Sequence, residues 1–102
     1  MAATPEAKVK AKIKKILKDH SVYFAMPIGT GYGNSGVPDF LCCVYGYFIA
    51  IEAKAGDNKP TALQVRELER IKKAGGYALL VNETNIDYLR QLLEKIRECP
   101  QS

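Results

Sequence analysis

The chain predicts an α/β fold: a mixed central sheet flanked by helices, built in the order α-β-β-β-α-β-α. Three observations predict it. Apolar residues recur at 3.6-residue spacing in three separate stretches, near the two ends of the chain and between Thr61 and Lys73. Two apolar runs flank Tyr45-Gly46, the pattern of two β-strands joined by a tight turn. A strand–helix–strand crossover then connects Tyr47 to Val81, and a connection of that length favours parallel pairing, which makes the sheet mixed. With 102 residues and no linker, repeat or low-complexity run, residues 1–102 form a single domain.

Taken in order, Thr4-Pro5-Glu6 is a helix start: Thr as N-cap, Pro at the first helical position, an acid in the first turn. This helix runs to about Asp19 with Val9, Ile13, Ile16 and Leu17 as its buried stripe. Glu6 shares that face, and Lys8, Lys12 and Lys15 lie opposite. His20 reads as a C-terminal cap or dipole partner. Val22 to Pro27 is a first strand. It is followed by a loop, residues 28–36, with four glycines. A phosphate-cradling turn should pass from strand into helix, and this one passes into a strand. No Gly-Lys-Ser/Thr follows either, so no nucleotide cofactor is expected. The loop carries Tyr32, Asn34 and Ser35, groups suited to lie against a nucleic-acid backbone or stack a base.

Pro38 suits the first position of the second strand, where its missing N–H matters least. Asp39 to Val44 and Tyr47 to Lys54 are apolar on both faces and so call for cover on both sides. Pro60-Thr61 opens the second helix, which ends at Gly75-Gly76. Gln64, Leu68 and Ile71 share its inward face, and Glu67 is read among its solvated residues. Tyr77 to Val81 is a buried strand. Thr84 or Asn85 caps a last helix with Ile86, Leu89, Leu93 and Ile96 as its stripe.

The net charge of +4, from 15 basic and 11 acidic residues, is compatible with a polyanionic partner. It is concentrated in the first helix. Three cysteines, Cys42 and Cys43 adjacent on a strand, make no disulfide framework; both are expected to pack as small core residues in a reducing compartment. There is no apolar signal region and no run of membrane-spanning length, so the expected location is cytoplasmic, with no membrane partner.

The chemistry concentrates between Gly36 and Lys54. If the turn is two residues long, Val44 faces Tyr47, and antiparallel pairing sets Asp39 across from Glu52 with Cβ atoms about 4.5–5.5 Å apart. Strand alternation aims Glu52 and Lys54 from one face. Like charges directly across a sheet are destabilising, and a hard divalent cation such as Mg²⁺ or Mn²⁺ is the economical neutraliser. A polar triplet in an otherwise apolar pair of strands is the kind of broken local rule expected at a functional site.

Pro38-Asp39, twelve intervening residues, then Glu52-Ala53-Lys54 is similar to the PD-(D/E)xK nuclease signature. The wider set adds Glu6 on the first helix, Gly36-Val37-Pro38-Asp39-Phe40, Ile51-Glu52-Ala53-Lys54 and Gln64 after Thr61-Ala62-Leu63. It resembles the VRR-NUC (virus-type replication-repair nuclease) branch in its stand-alone phage and bacterial form, over Glu6 to about Asn82. The resemblance implies a restriction-endonuclease-like αβββαβα core. It implies an Mg²⁺- or Mn²⁺-dependent endodeoxyribonuclease, acting on branched DNA as a Holliday-junction-resolvase-like homodimer. Under it, Asp39 and Glu52, joined by the Ala53 main-chain carbonyl, are metal ligands. Lys54 orients or helps deprotonate the attacking water, Glu6 holds a metal-bound water or second ion, and Gln64 steadies Lys54, water or phosphate. Tyr32, Asn34, Ser35, Lys8 and Lys12 are the candidate DNA contacts. Alternatives are a nickase, flap or duplex endonuclease of the same fold, a nucleic-acid-binding module without catalysis, and a small α/β interaction protein.

Overall fold

The computed structural model describes residues 4–28 and 36–100. Helix α1 (Pro5–Asp19) begins where the local chemistry demands: Thr4 Oγ1 accepts from the Ala7 N–H at 3.1 Å, and Pro5 needs no partner for a missing N–H. Its stripe of Val9, Ile13, Ile16 and Leu17 is buried. It ends at His20, whose Nδ1 lies 2.9 Å from the Ile16 carbonyl.

Strand β1 (Tyr23–Ala25) is shorter than the stretch to Pro27 that the sequence suggests, because only three of its residues pair with β2 (Phe40–Val44). Tyr45 (φ 49°) and Gly46 (φ 90°) form a two-residue turn with both φ values positive, a type I′ turn whose twist matches the flanking strands. It sets the β2–β3 register at Val44↔Tyr47 through Phe40↔Ile51, with β3 spanning Tyr47–Ala53. Helix α2 (Ala62–Lys73) carries the chain over to β4 (Tyr77–Val81), which pairs with β3 in parallel, and α3 (Ile86–Glu98) closes the fold. The sheet order is β1-β2-β3-β4, mixed as expected.

The two faces of this sheet are covered unequally. On the first, Phe40, Cys42 and Val44 of β2, Ile49, Ile51 and Ala53 of β3 and Val81 of β4 join the stripes of α1 and α3 in one core. Each fully buried Ile, Leu or Phe there contributes about 1.5–3 kcal/mol. Burial also pushes the Cys42 thiol up to about 12, so it is an inert core group. On the second face, among the described residues, lies α2 alone. A helix about 10 Å wide spans roughly two strands spaced about 4.8 Å apart. Helix α2 contacts β4, and its Ile71 lies with Phe48 of β3 around Gly76. Among the described residues, no element covers the half of this face towards β1 and β2. Cys43 is therefore exposed, against the expectation that both cysteines pack inside, and Phe48 keeps 44% of its surface.

Helix α2 departs from the sequence reading once more. Glu67 is buried rather than solvated, with its Oε2 2.9 Å from the Arg70 guanidinium and 3.7 Å from Arg66 Nε. A buried carboxylate needs such partners, and its two arginine neighbours on the same helix supply them. The last helix follows its stripe, with Leu89, Leu93 and Ile96 buried. Asn85 is its N-cap by position, but its side chain is used elsewhere: it accepts from the Asn82 N–H and donates to the Leu80 carbonyl. Among the described residues, no helix is long and apolar enough to cross a membrane.

Candidate active site at the open end of the hairpin

The hairpin register decides what meets at its open end. One step beyond Phe40↔Ile51, Asp39 lies across from Glu52, and one further step sets Pro38 across from Ala53. Counting from the turn, hydrogen-bonded pairs alternate with non-bonded ones, and Pro38–Ala53 falls on a bonded position. Pro38 has no N–H to give, so it cannot take the Ala53 carbonyl. The Ala53 N–H instead donates to Asp39 Oδ2 at 2.9 Å, which holds the carboxylate at the mouth of the hairpin. Because the N–H and C=O of a strand residue point to the same neighbour, the Ala53 carbonyl looks towards this same side. The Pro-Asp pair thus does two things: it leaves a main-chain oxygen without a ladder partner and orients a carboxylate beside it.

Helix α1 supplies the rest. Glu6 and Lys10, one turn apart, reach over the same end of the sheet. Lys54 Nζ lies 3.7 Å from Glu52 Oε2 and 3.8 Å from Glu6 Oε1. Lys10 Nζ lies 3.3 Å from Asp39 Oδ1 and 3.9 Å from Glu6 Oε2. Glu52 is 2% exposed. Burial first, then the negative charge of Asp39, raise its carboxyl from 4.5 to about 7, against the opposing pull of Lys54. The expected convergence of Asp39, Glu52 and Lys54 is present, with Glu6 joined to it through Lys54.

These groups suit a hard cation. They offer carboxylate and carbonyl oxygens, and the raised Glu52 carboxyl marks a place short of positive charge. Among the described residues, no three His, Cys, Asp or Glu side chains stand together as one ion-binding group. The residues that could hold such an ion are Asp39 and Glu52, with the Ala53 carbonyl beside them. Mg²⁺, which keeps several waters and is held by one or two carboxylates, asks for no more.

Gln64 is differently engaged from the expectation. Its side-chain carbonyl accepts from the Thr61 N–H at 2.8 Å while Thr61 Oγ1 accepts from the Gln64 N–H at 3.2 Å, a capping box. Only its amide NH₂ end is left to donate. The Thr-x-x-Gln spacing was a readable signal for this role. The α2 terminus is nonetheless tied to the site segment. Gly36 lies so close to it that an added Cβ would stand 2.6 Å from the Leu63 carbonyl carbon. Lys8 and Lys12 are on the exposed side of α1, away from Glu6. Lys10 is the lysine that reaches the site, and its i+4 spacing from Glu6 was the available signal. Tyr32, Asn34 and Ser35 lie outside the described residues.

No family model and no curated protein matches the chain. Solved structures do. One, described as a "VRR_NUC domain", superposes with a TM-score of 0.67 at 25% identity, over 95% of this chain and 98% of its own. A second, a "VRR_NUC domain protein", gives a TM-score of 0.73 at 18% identity, over 99% of this chain and 94% of its own.

Proposed function

We propose that this chain, a VRR-NUC domain by fold, is a divalent-metal-dependent DNA endonuclease that acts on branched DNA. What carries the reading is the meeting of Asp39, Glu52 and Lys54 at the hairpin's open end, with Glu52 buried beside a second carboxylate. Phosphodiester hydrolysis requires an activated water and relief of charge on the phosphoryl oxygens, which Mg²⁺ or Mn²⁺ supplies when bound. Asp39, Glu52 and the Ala53 carbonyl would hold it. Lys54, kept between Glu52 and Glu6, orients the attacking water and offsets negative charge as it develops on the phosphate. Glu6 fixes Lys54 in that position. The free amide end of Gln64 donates to a phosphate oxygen. In-line attack leaves 5′-phosphate and 3′-hydroxyl ends. The described residues present no base-reading group at the site, so substrate shape rather than sequence sets the preference. Lys8 and Lys12 add phosphate contacts on the outer side of α1.

The test is a four-way junction, a flap and a plain duplex incubated in Mg²⁺ or Mn²⁺. Cleavage of the junction is expected, with at least about 100-fold loss in Asp39→Asn and in Lys54→Ala at retained fold. Wild-type rates in both variants would refute the assignment. Preference for the flap or the duplex would place the enzyme in the nickase or duplex-cutting class instead.

The proposal includes a homodimer. Tyr23, Cys43 and Phe48 sit side by side across three strands on the face that carries α2, and Tyr23 is 79% exposed. An apolar row of this kind fits the self-complementary patch of a two-fold interface. Light scattering should give twice the chain mass for wild type and the monomer mass for Tyr23→Glu, with junction cleavage reduced at least about tenfold. A wild type that stays monomeric at high micromolar concentration contradicts the dimer.

A further inference from the structure

Lys10 has no part in the chemistry just proposed, yet it occupies a telling position. The two oxygens of Asp39 are divided in their work: Oδ2 accepts from the Ala53 N–H at 2.9 Å, and Oδ1 faces the Lys10 ammonium at 3.3 Å. Oδ1 is the oxygen left for a cation, and the ammonium is already there. Lys10 is also 3.9 Å from Glu6 Oε2, so it stands where two carboxylates concentrate negative charge. A divalent ion at Oδ1 and an ammonium within a few ångströms of it repel each other, the more so near low-dielectric protein. Lys10 has somewhere to go. Its side chain is 36% exposed, on a flexible four-carbon arm, and strongly hydrated ammonium groups re-pair readily with phosphate.

We propose that Lys10 is an exchangeable counter-cation: it neutralises Asp39 in the ion-free protein and yields Oδ1 to the metal. It then pairs with a phosphate oxygen of the bound DNA. The inference rests on the metal-site reading of Asp39. It makes metal and DNA binding mutually reinforcing. The ammonium that hinders the ion in the free protein becomes a DNA contact once displaced, and a phosphate that draws it away favours the ion in return.

The test begins with calorimetric titration of Mn²⁺ alone into wild type, Lys10→Met and Asp39→Asn. Lys10→Met should bind Mn²⁺ about 2- to 5-fold more tightly than wild type, the range expected when a partly exposed competing ion pair is removed. Binding of a four-way junction in Ca²⁺ should also lose about one phosphate contact, seen as a salt-dependence slope shallower by about one. Unchanged Mn²⁺ affinity, or an unchanged salt slope, overturns the proposal while leaving the metal site standing. Mn²⁺ heat that is absent from wild type and Lys10→Met alike removes the metal reading itself. Mn²⁺ heat that survives Asp39→Asn takes Asp39 out of the site, and Lys10 with it. Melting in EDTA checks the fold of each variant. Lys10→Gln, which keeps a polar end at this half-exposed position, repeats the measurement should Lys10→Met fold poorly.

Discussion

Glu52→Gln is expected to be more stable than the wild-type protein at pH 8 in EDTA, and to have lost cleavage. The reason is the environment of this carboxyl. It is buried, faces Asp39 and is only partly compensated by Lys54, and its proton is held up to about 7 instead of 4.5. Between those two values the unfolded chain has released the proton and the native protein keeps it. The unfolded state therefore binds fewer protons, and stability falls as pH rises through this window. The drop amounts to about 3 kcal/mol in total, and it levels off above about pH 7. Glutamine has the same shape without the charge and escapes the loss. At roughly 4–8 °C per kcal/mol for a domain of this size, the variant should melt roughly 12–24 °C higher at pH 8. The two proteins should converge near pH 4. Adding Mn²⁺ should raise the wild-type melting temperature by mass action and leave the variant unmoved. Differential scanning calorimetry from pH 4 to 8 checks all three points. A wild-type protein that gains stability from pH 5 to 8 would show that Glu52 is not a strained acid.

Gly36→Ala carries the second large effect. Gly36 has φ +80°, a region costly for residues with a Cβ, and the new methyl would lie 2.6 Å from both the carbonyl carbon and oxygen of Leu63 and 2.8 Å from the Gln64 nitrogen. All three atoms are backbone at the start of α2, so no side-chain rotation relieves the clash. Strain of about 1–2 kcal/mol and overpacking of about 1–3 kcal/mol together predict a loss of roughly 2–5 kcal/mol. Whatever gives way also moves Asp39, three residues on, so cleavage should fall by more than the melting temperature explains. Gly56→Ala is the internal control. It too has positive φ, at +56°, but its Cβ would meet nothing within 4 Å. It should cost about 1 kcal/mol, from strain alone. Equal melting temperatures and equal rates in the two variants would remove the close approach from the account of the site.

Both effects depend on distances that differ greatly in how far they could be read from the chain. The helix stripes, the two-residue turn and the Asp39–Glu52 pairing follow from short-range rules: 3.6-residue and two-residue periodicity, and a turn whose geometry sets register for every pair beyond it. Val44↔Tyr47 once granted, the rest of the β2–β3 ladder follows by counting. Local rules decide less where one signal has two uses. Gln64 lies on the inward face of α2 and also stands three residues after Thr61, so the same residue carries a site signal and a capping-box signal. A strand apolar on both faces predicts an inward Cys43, but apolarity tells nothing of how much cover exists.

From the chain alone, then, came the order of elements, the mixed sheet and the identity of the acids and the lysine at the hairpin mouth, since these rest on contacts between near neighbours in sequence or on register propagated from one turn. The tertiary structure decided that Lys10 rather than Lys8 or Lys12 reaches Asp39, that Glu67 is buried, that Gly36 touches α2, and that half of one sheet face is left uncovered by the described residues. Those outcomes depend on how each helix lies across the sheet and how many strands it can cover. That is settled by packing between segments far apart in sequence, which periodicity does not encode.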